Sequence, residues 1–145
     1  MNNLKTKVPI WFWAIAIIFL LWNIMGVLSF LMHTLTPGEA LSLMPLEERE
    51  LYDSYPAWAT VLFAIGVFCG LIGSLGLLFR KKWAKPIFTL SLIAVIIQMT
   101  HNVFFTNTVE VYGTTQAVTI PLIVVVLSLL AVLFSNSTIK KNWLQ

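Results

Sequence analysis

Four stretches of the chain run without Asp, Glu, Lys or Arg: residues 9–32, 57–79, 86–105 and 116–135. Each is long enough to cross a hydrocarbon core about 30 Å thick as a helix, which takes about 20 apolar residues at 1.5 Å per residue. Charged positions are confined to the segments between these stretches and to the ends of the chain. The pattern predicts an all-α integral membrane protein. It is a four-transmembrane-helix bundle forming a single domain over residues 1–145, with a 24-residue outer loop, 33–56, containing short helical pieces. The first run far exceeds the roughly 7–15 apolar residues of a cleaved signal peptide, so it is read as a retained helix.

Within the outer loop, "HTLTPGEALSLMPLEERELYDSYP", Thr36-Pro37-Gly38-Glu39 has the spacing of a capping box with proline at the first helical position. Pro45, followed by Glu47 and Glu48, suggests a second short helix, because early acids suit the positive end of a helix. The two pieces are expected to lie over the mouth of the bundle, resting on the membrane surface or covering a site beneath them.

Polar positions inside the spans break the pattern. In "IIQMTHNVFF", residues 96–105, Gln98, His101 and Asn102 are spaced i, i+3, i+4 and share one helix face, while Thr100 falls off it and is expected to bond its own backbone. Ser91 and Ala94 extend that face inward. Counted from Pro86, Gln98 sits about 18 Å and Asn102 about 24 Å up the helix, in the outer half of the core. Asn23, Gly26, Phe30 and His33 form a matching row on the first helix, with Trp22 beside Asn23 in mid-span. Thr60, Gln116 and Thr119 also lie toward the outside, and Pro121 should bend the fourth helix or free a carbonyl there. The inner half is expected to be almost entirely aliphatic and sealed, with Ser91 and Ser128 its main polar exceptions. On the second helix Gly66, Gly70, Gly73 and Ser74 form a small-residue stripe that lets helix backbones approach closely.

Composition agrees with this pattern: 59% hydrophobic, 10% charged, mean hydropathy +0.88. The net charge of +3 is a topological signal. Eight of the nine basic residues (Lys5, Lys7, Arg80, Lys81, Lys82, Lys85, Lys140, Lys141) fall on one side. Arg49 and all six acids (Glu39, Glu47, Glu48, Glu50, Asp53, Glu110) fall on the other. The positive-inside rule then places both termini in the cytoplasm. Trp11, Trp13, Trp83 and Trp143 mark the inner interface; Tyr52, Tyr55, Trp58 and Tyr112 mark the outer one. The charge distribution reports topology and gives no sign of nucleic-acid binding.

The same residues exclude several chemistries. Cys69 is the single cysteine, so neither an intrachain disulfide nor a paired-thiol relay is available. No carboxylate lies inside a span, which argues against a proton-coupled exporter of the small multidrug type. No phosphate loop, nucleophile elbow or zinc-protease signature is present, and no catalytic residue or cofactor is assigned.

Three readings fit the buried polar groups. Asn23, Gln98, His101 and Asn102 act as interhelical glue; or, with Trp22, His33 and Gln116, they line an outward-opening ligand pocket; or His33 and His101 join Glu48, Asp53 or Glu110 around a metal, a pairing without tight ligand spacing. No metal site is assigned.

The segments "PIWFW…LLWNIMGV", "YPAWATVLFAIGVFCGLIGSLGLLFRKKWAKPIF" and "SLIAVIIQMTHN" resemble a group of small, largely uncharacterised bacterial four-helix inner-membrane proteins, sometimes labelled sugar-transporter-like. The resemblance spans nearly the whole chain and implies a bacterial inner membrane. The expected function is binding, or helping to move, a small uncharged solute or lipid-like molecule through an outward-opening pocket. The alternative is a non-catalytic accessory or structural subunit using the glycine stripe, and a membrane enzyme using His101 ranks third. Expected partners are the lipid bilayer, a small-molecule ligand and a second copy or another membrane protein.

Overall fold

In the computed structural model, which describes residues 6–145, the chain is 82% helical with no strand among the described residues. Lys5, counted above in the basic flank of the first span, lies outside the described residues. The elements are α1 (Ile10–Leu35), α2 (Gly38–Ser42), α3 (Leu46–Asp53), α4 (Ala57–Leu78), α5 (Ala84–Phe104), α6 (Thr108–Thr114) and α7 (Ile120–Lys140), with a π-helical turn, Thr115–Thr119, joining the last two. The helices α1, α4, α5 and the Thr108–Lys140 segment are each long and apolar enough to span a bilayer. The chain is a multi-pass membrane protein with an all-α four-helix bundle. Helix is the required form for such segments, because every backbone N–H and C=O must be satisfied within the span.

Proline sets where the first four helices begin. Pro9, Pro37, Pro45 and Pro56 each stand as the residue before a helix, in extended conformation, and no side chain caps the turn that follows. Proline disfavours helical backbone in the residue before it, so the chain turns helical only beyond it. The capping box expected at Thr36–Glu39 does not form. Thr36 Oγ1 instead donates back to the Met32 carbonyl at the end of α1, which takes it away from the α2 amides. The second start is where the acids placed it, with Glu47 and Glu48 in the first turn of α3.

The last span is broken at its beginning. Gly113 adopts φ 79°, ψ 159°, a conformation open to glycine, and the π turn follows before Pro121 enters the first turn of α7. The break therefore falls at Gly113 and the π turn, whereas the backbone leading into Pro121 is helical (Thr119 φ −65°, ψ −45°; Ile120 φ −64°, ψ −50°), because proline is tolerated in a first helical turn.

Helices pack in chain order, α1 on α4, α4 on α5 and α5 on α7. Close approach between α4 and its neighbours depends on the small-residue stripe. A Cβ on Gly66 would meet Val95 at 2.9 Å and one on Gly73 would meet Phe88 at 2.8 Å, while one on Gly70 would run into the Asn23 amide. All three glycines and Ser74 are buried within the chain's own bundle.

At the end bearing the termini the core is aromatic. Phe12, Phe19 and Phe88 are buried, and Phe134 packs on Phe12 (5.7 Å) and Phe19 (6.0 Å), joining α1 to α7. The expectation of an aliphatic inner half is corrected here: flat rings span the wider gaps that alanine and glycine neighbours leave at this end. Two helix endings lock the same end. Arg80 (φ 57°) and Asn142 (φ 56°) each close a Schellman turn, Lys81 N–H to Gly76 C=O and Trp143 N–H to Thr138 C=O. The two endings are then joined, because Gln145 N–H donates to Arg80 C=O, Lys82 N–H donates to Gln145 C=O, and Arg80 Nε donates to Trp143 C=O.

Candidate ligand-binding cavity

Toward the loop-bearing end the same four helices splay, and a cavity of about 270 Å³ lies among α1, α4, α5 and α7. That is just below the roughly 300–1,000 Å³ of ordinary small-molecule clefts. Its walls are hydrocarbon (Gly26, Phe63, Val67, Val95, Met99, Val124) with Trp22, Asn23, Ser91, Gln98 and Ser128 as the polar-bearing members. No charged residue lines it. Phe19 and Phe88, with ring centroids 6.3 Å apart, lie beneath it toward the terminal end.

Each polar group is held in place by its own helix or a neighbour. Asn23 Nδ2 donates to the Phe19 carbonyl (2.8 Å) and to Ser74 Oγ (3.1 Å), and Ser74 in turn donates to Gly70 C=O (2.9 Å). Ser91 Oγ donates across the α4–α5 contact to Gly66 C=O at 2.6 Å, a bond the bare glycine backbone makes reachable. Ser128 Oγ donates to Val124 C=O in its own helix. Gln98 is 3% exposed, and its Nε2 donates to the Tyr55 hydroxyl at 2.8 Å.

Tyr55 belongs to a group of rings between the cavity and the loops. His33 packs against Tyr52 (4.7 Å), Tyr55 (4.9 Å) and Phe63 (6.0 Å). Burial raises the Tyr55 phenol above the ordinary tyrosine value, opposed by its contacts with Gln98 and Asn102.

The structure brings Trp22, Asn23 and Gln98 to one cavity and sends the other candidates elsewhere. His33 stands in the ring cluster above. Asn102 lies beside Tyr55, with its Oδ1 buried and unpartnered. His101 does not line this cavity and packs on Trp58 (4.7 Å) and Phe105 (6.2 Å). There it borders a wider groove of about 700 Å³ that also touches Glu47, Glu50 and Glu110. Gln116 is exposed on the π turn. The divergence follows from helix geometry: residues i+3 and i+4 lie roughly 60° and 40° to either side of residue i. A central Gln98 can face the bundle interior while its neighbours face different flanks.

Sequence reasoning missed Tyr55 as the partner of Gln98. Nothing in "DSYPAW" distinguishes an interfacial tyrosine from one folded back over a span. Thr100 bonds Ile96 C=O at 2.7 Å, as a lone threonine off the polar face should. Among the described residues no group of three or more His, Cys, Asp or Glu is arranged to hold a metal. His33 and His101 both pack against Tyr55, with ring centroids 4.9 and 6.4 Å away.

What the arrangement can do is hold an uncharged molecule: dry walls supply area, and a few fixed oxygens and amides supply orientation. No family model, no curated protein and no solved structure matches this chain.

Proposed function

We propose that this protein binds, and by binding helps to move, a small uncharged solute or lipid-like molecule within the membrane. The observation that carries the proposal is the cavity among α1, α4, α5 and α7, apolar in its walls, free of charge and supplied with Asn23, Ser91, Gln98 and Ser128. An ion would lose its hydration there without gaining a partner, at a cost of several kcal/mol, whereas a neutral polar group loses little. The charge asymmetry favours both termini in the cytoplasm, and the family resemblance favours a bacterial inner membrane. The accessory-subunit reading relied on the glycine stripe, and that stripe is occupied by α1 and α5 of the same chain.

The test uses 1-octanol, octanoate and octylammonium as probes on the purified protein in lipid nanodiscs. Octanol should raise the melting temperature in a saturable way, and a concentration about a hundred times Kd adds about 2.7 kcal/mol to the folded state. The two ions should not. Gln98→Leu should keep its helical spectrum and lose at least tenfold in octanol affinity. An octanol shift unchanged by Gln98→Leu would remove the cavity from consideration.

A further inference from the structure

The cavity is closed at both ends and open at one side. Above it lie the rings of His33, Tyr55 and Phe63, tied down by the Gln98–Tyr55 bond, and below it lie Phe19 and Phe88. Between α1 and α7 the case is different. Those two helices join through Phe134 only at the terminal end, and their backbones otherwise stay apart. The cavity residues on either side of this gap reach the bundle surface: Met25 is 61% exposed, Ile120 is 56% exposed, and Ser29 is exposed beside them. Ser29 lies about 9 Å below the loop-side end of α1, counting 1.5 Å per residue from Leu35. At that depth the surroundings are acyl chains and not water.

The hydrogen-bonding groups of the cavity are uncharged, and most are already committed. The Phe19 carbonyl can only accept, which fixes the Asn23 amide with its nitrogen toward Phe19 and Ser74 and its Oδ1 against Gly70. The Ser91 and Ser128 protons are committed to backbone carbonyls, and one Gln98 Nε2 hydrogen is committed to Tyr55. Among the described residues, Gln98 Oε1 receives no hydrogen bond and Trp22 Nε1–H donates none, while Asn23 Oδ1 is packed against Gly70. The groups left to a ligand are therefore neutral donors and acceptors, Trp22 Nε1–H and the second Gln98 N–H beside Gln98 Oε1, and a complementary head both donates and accepts. With no carboxylate in the walls an ammonium head has no counter-charge, so the donor is a neutral hydroxyl.

We infer that the site takes a single-chain lipid with an uncharged hydroxyl-bearing head. The head sits against Trp22 and Gln98, and the chain passes out between α1 and α7 into the leaflet on the loop side. This inference rests on the cavity being the binding site. The occupant comes from the membrane, and a free polyol carrying the same hydroxyls gains nothing from the gap.

Native mass spectrometry from nanodiscs tests it with three probes: monooleoylglycerol, glycerol and lysophosphatidylglycerol. Monooleoylglycerol should be retained one per chain, at least tenfold above the other two. Ser29→Trp, which fills the gap from an exposed position, should cut that retention at least tenfold while keeping its helical spectrum. Equal retention of glycerol, or undiminished retention by Ser29→Trp, would overturn the lateral lipid site and leave the cavity reading standing. Equal retention of lysophosphatidylglycerol would overturn the neutral head. Undiminished retention of monooleoylglycerol by Gln98→Leu would remove the cavity itself, and both readings with it.

Discussion

Gly70 and Asn23 are a matched pair. The amide of Asn23 occupies the space a Gly70 side chain would take, and Ser74 one turn along fixes that amide by hydrogen bond. Gly70→Ala should therefore displace Asn23 and cost about 1–3 kcal/mol, the usual range for overfilling a packed site. Gly38→Ala, where no atom lies within 4 Å, is the control, and thermal unfolding in detergent compares the two. A Gly70→Ala protein as stable as the control would show that the contact yields freely. Tyr55 offers a second test at this scale. Its phenol is raised in the folded protein by burial. The stability it contributes is thus intact below the unfolded value of about 10 and is lost as pH rises through the higher folded value. As pH rises above about 10 the melting temperature should fall more steeply for the wild type than for Tyr55→Phe. At neutral pH, Tyr55→Phe should itself be less stable by about 1–3 kcal/mol, because it strands a buried amide donor.

Among the elements, the terminal end is the more rigidly built. Two Schellman turns, at Arg80 and Asn142, bring the α4 and α7 endings close enough to share backbone hydrogen bonds, and Leu144 is buried beneath them. Left-handed backbone suits asparagine and glycine and penalises β-branched residues. Asn142→Val should therefore cost about 1–2 kcal/mol and Asn142→Gly little or nothing, read by the same melts. If both variants melt with the wild type, the joined endings are dispensable. The loop end shows which local signals were readable. Proline marked the two loop starts at Pro37 and Pro45, because its effect on backbone is intrinsic. The threonine cap at Thr36 was not readable, because two backbone groups competed for one hydroxyl and the nearer carbonyl of α1 took it.

For the whole molecule, the two ends of the bundle do different things. Aromatic packing closes the terminal end, and the loop-side half is left open between α1 and α7. The orientation of this asymmetry in the membrane decides which leaflet the gap addresses. With both termini cytoplasmic, a membrane-impermeant maleimide added to intact cells should label Glu47→Cys and not Lys82→Cys. The reverse pattern would place the gap in the inner leaflet.

By itself the sequence determined the four helices, the segregation of charge between the two sides and the small-residue stripe that sets helix spacing. Each depends on local quantities: the length of an apolar run, the sign of a flanking side chain, the absence of a Cβ. It also showed that Asn23 and Gln98 are polar groups needing partners inside the bilayer. Only the tertiary structure decided who those partners are. Asn23 took Ser74 on α4, Gln98 took Tyr55 from beyond the α3 helix, and His101 turned to Trp58 and a separate groove. The physical reason is that a helix face is defined by spacing along one chain segment, whereas what covers it depends on how neighbouring helices cross. Side chains only 40–60° apart on one helix can then face different neighbours.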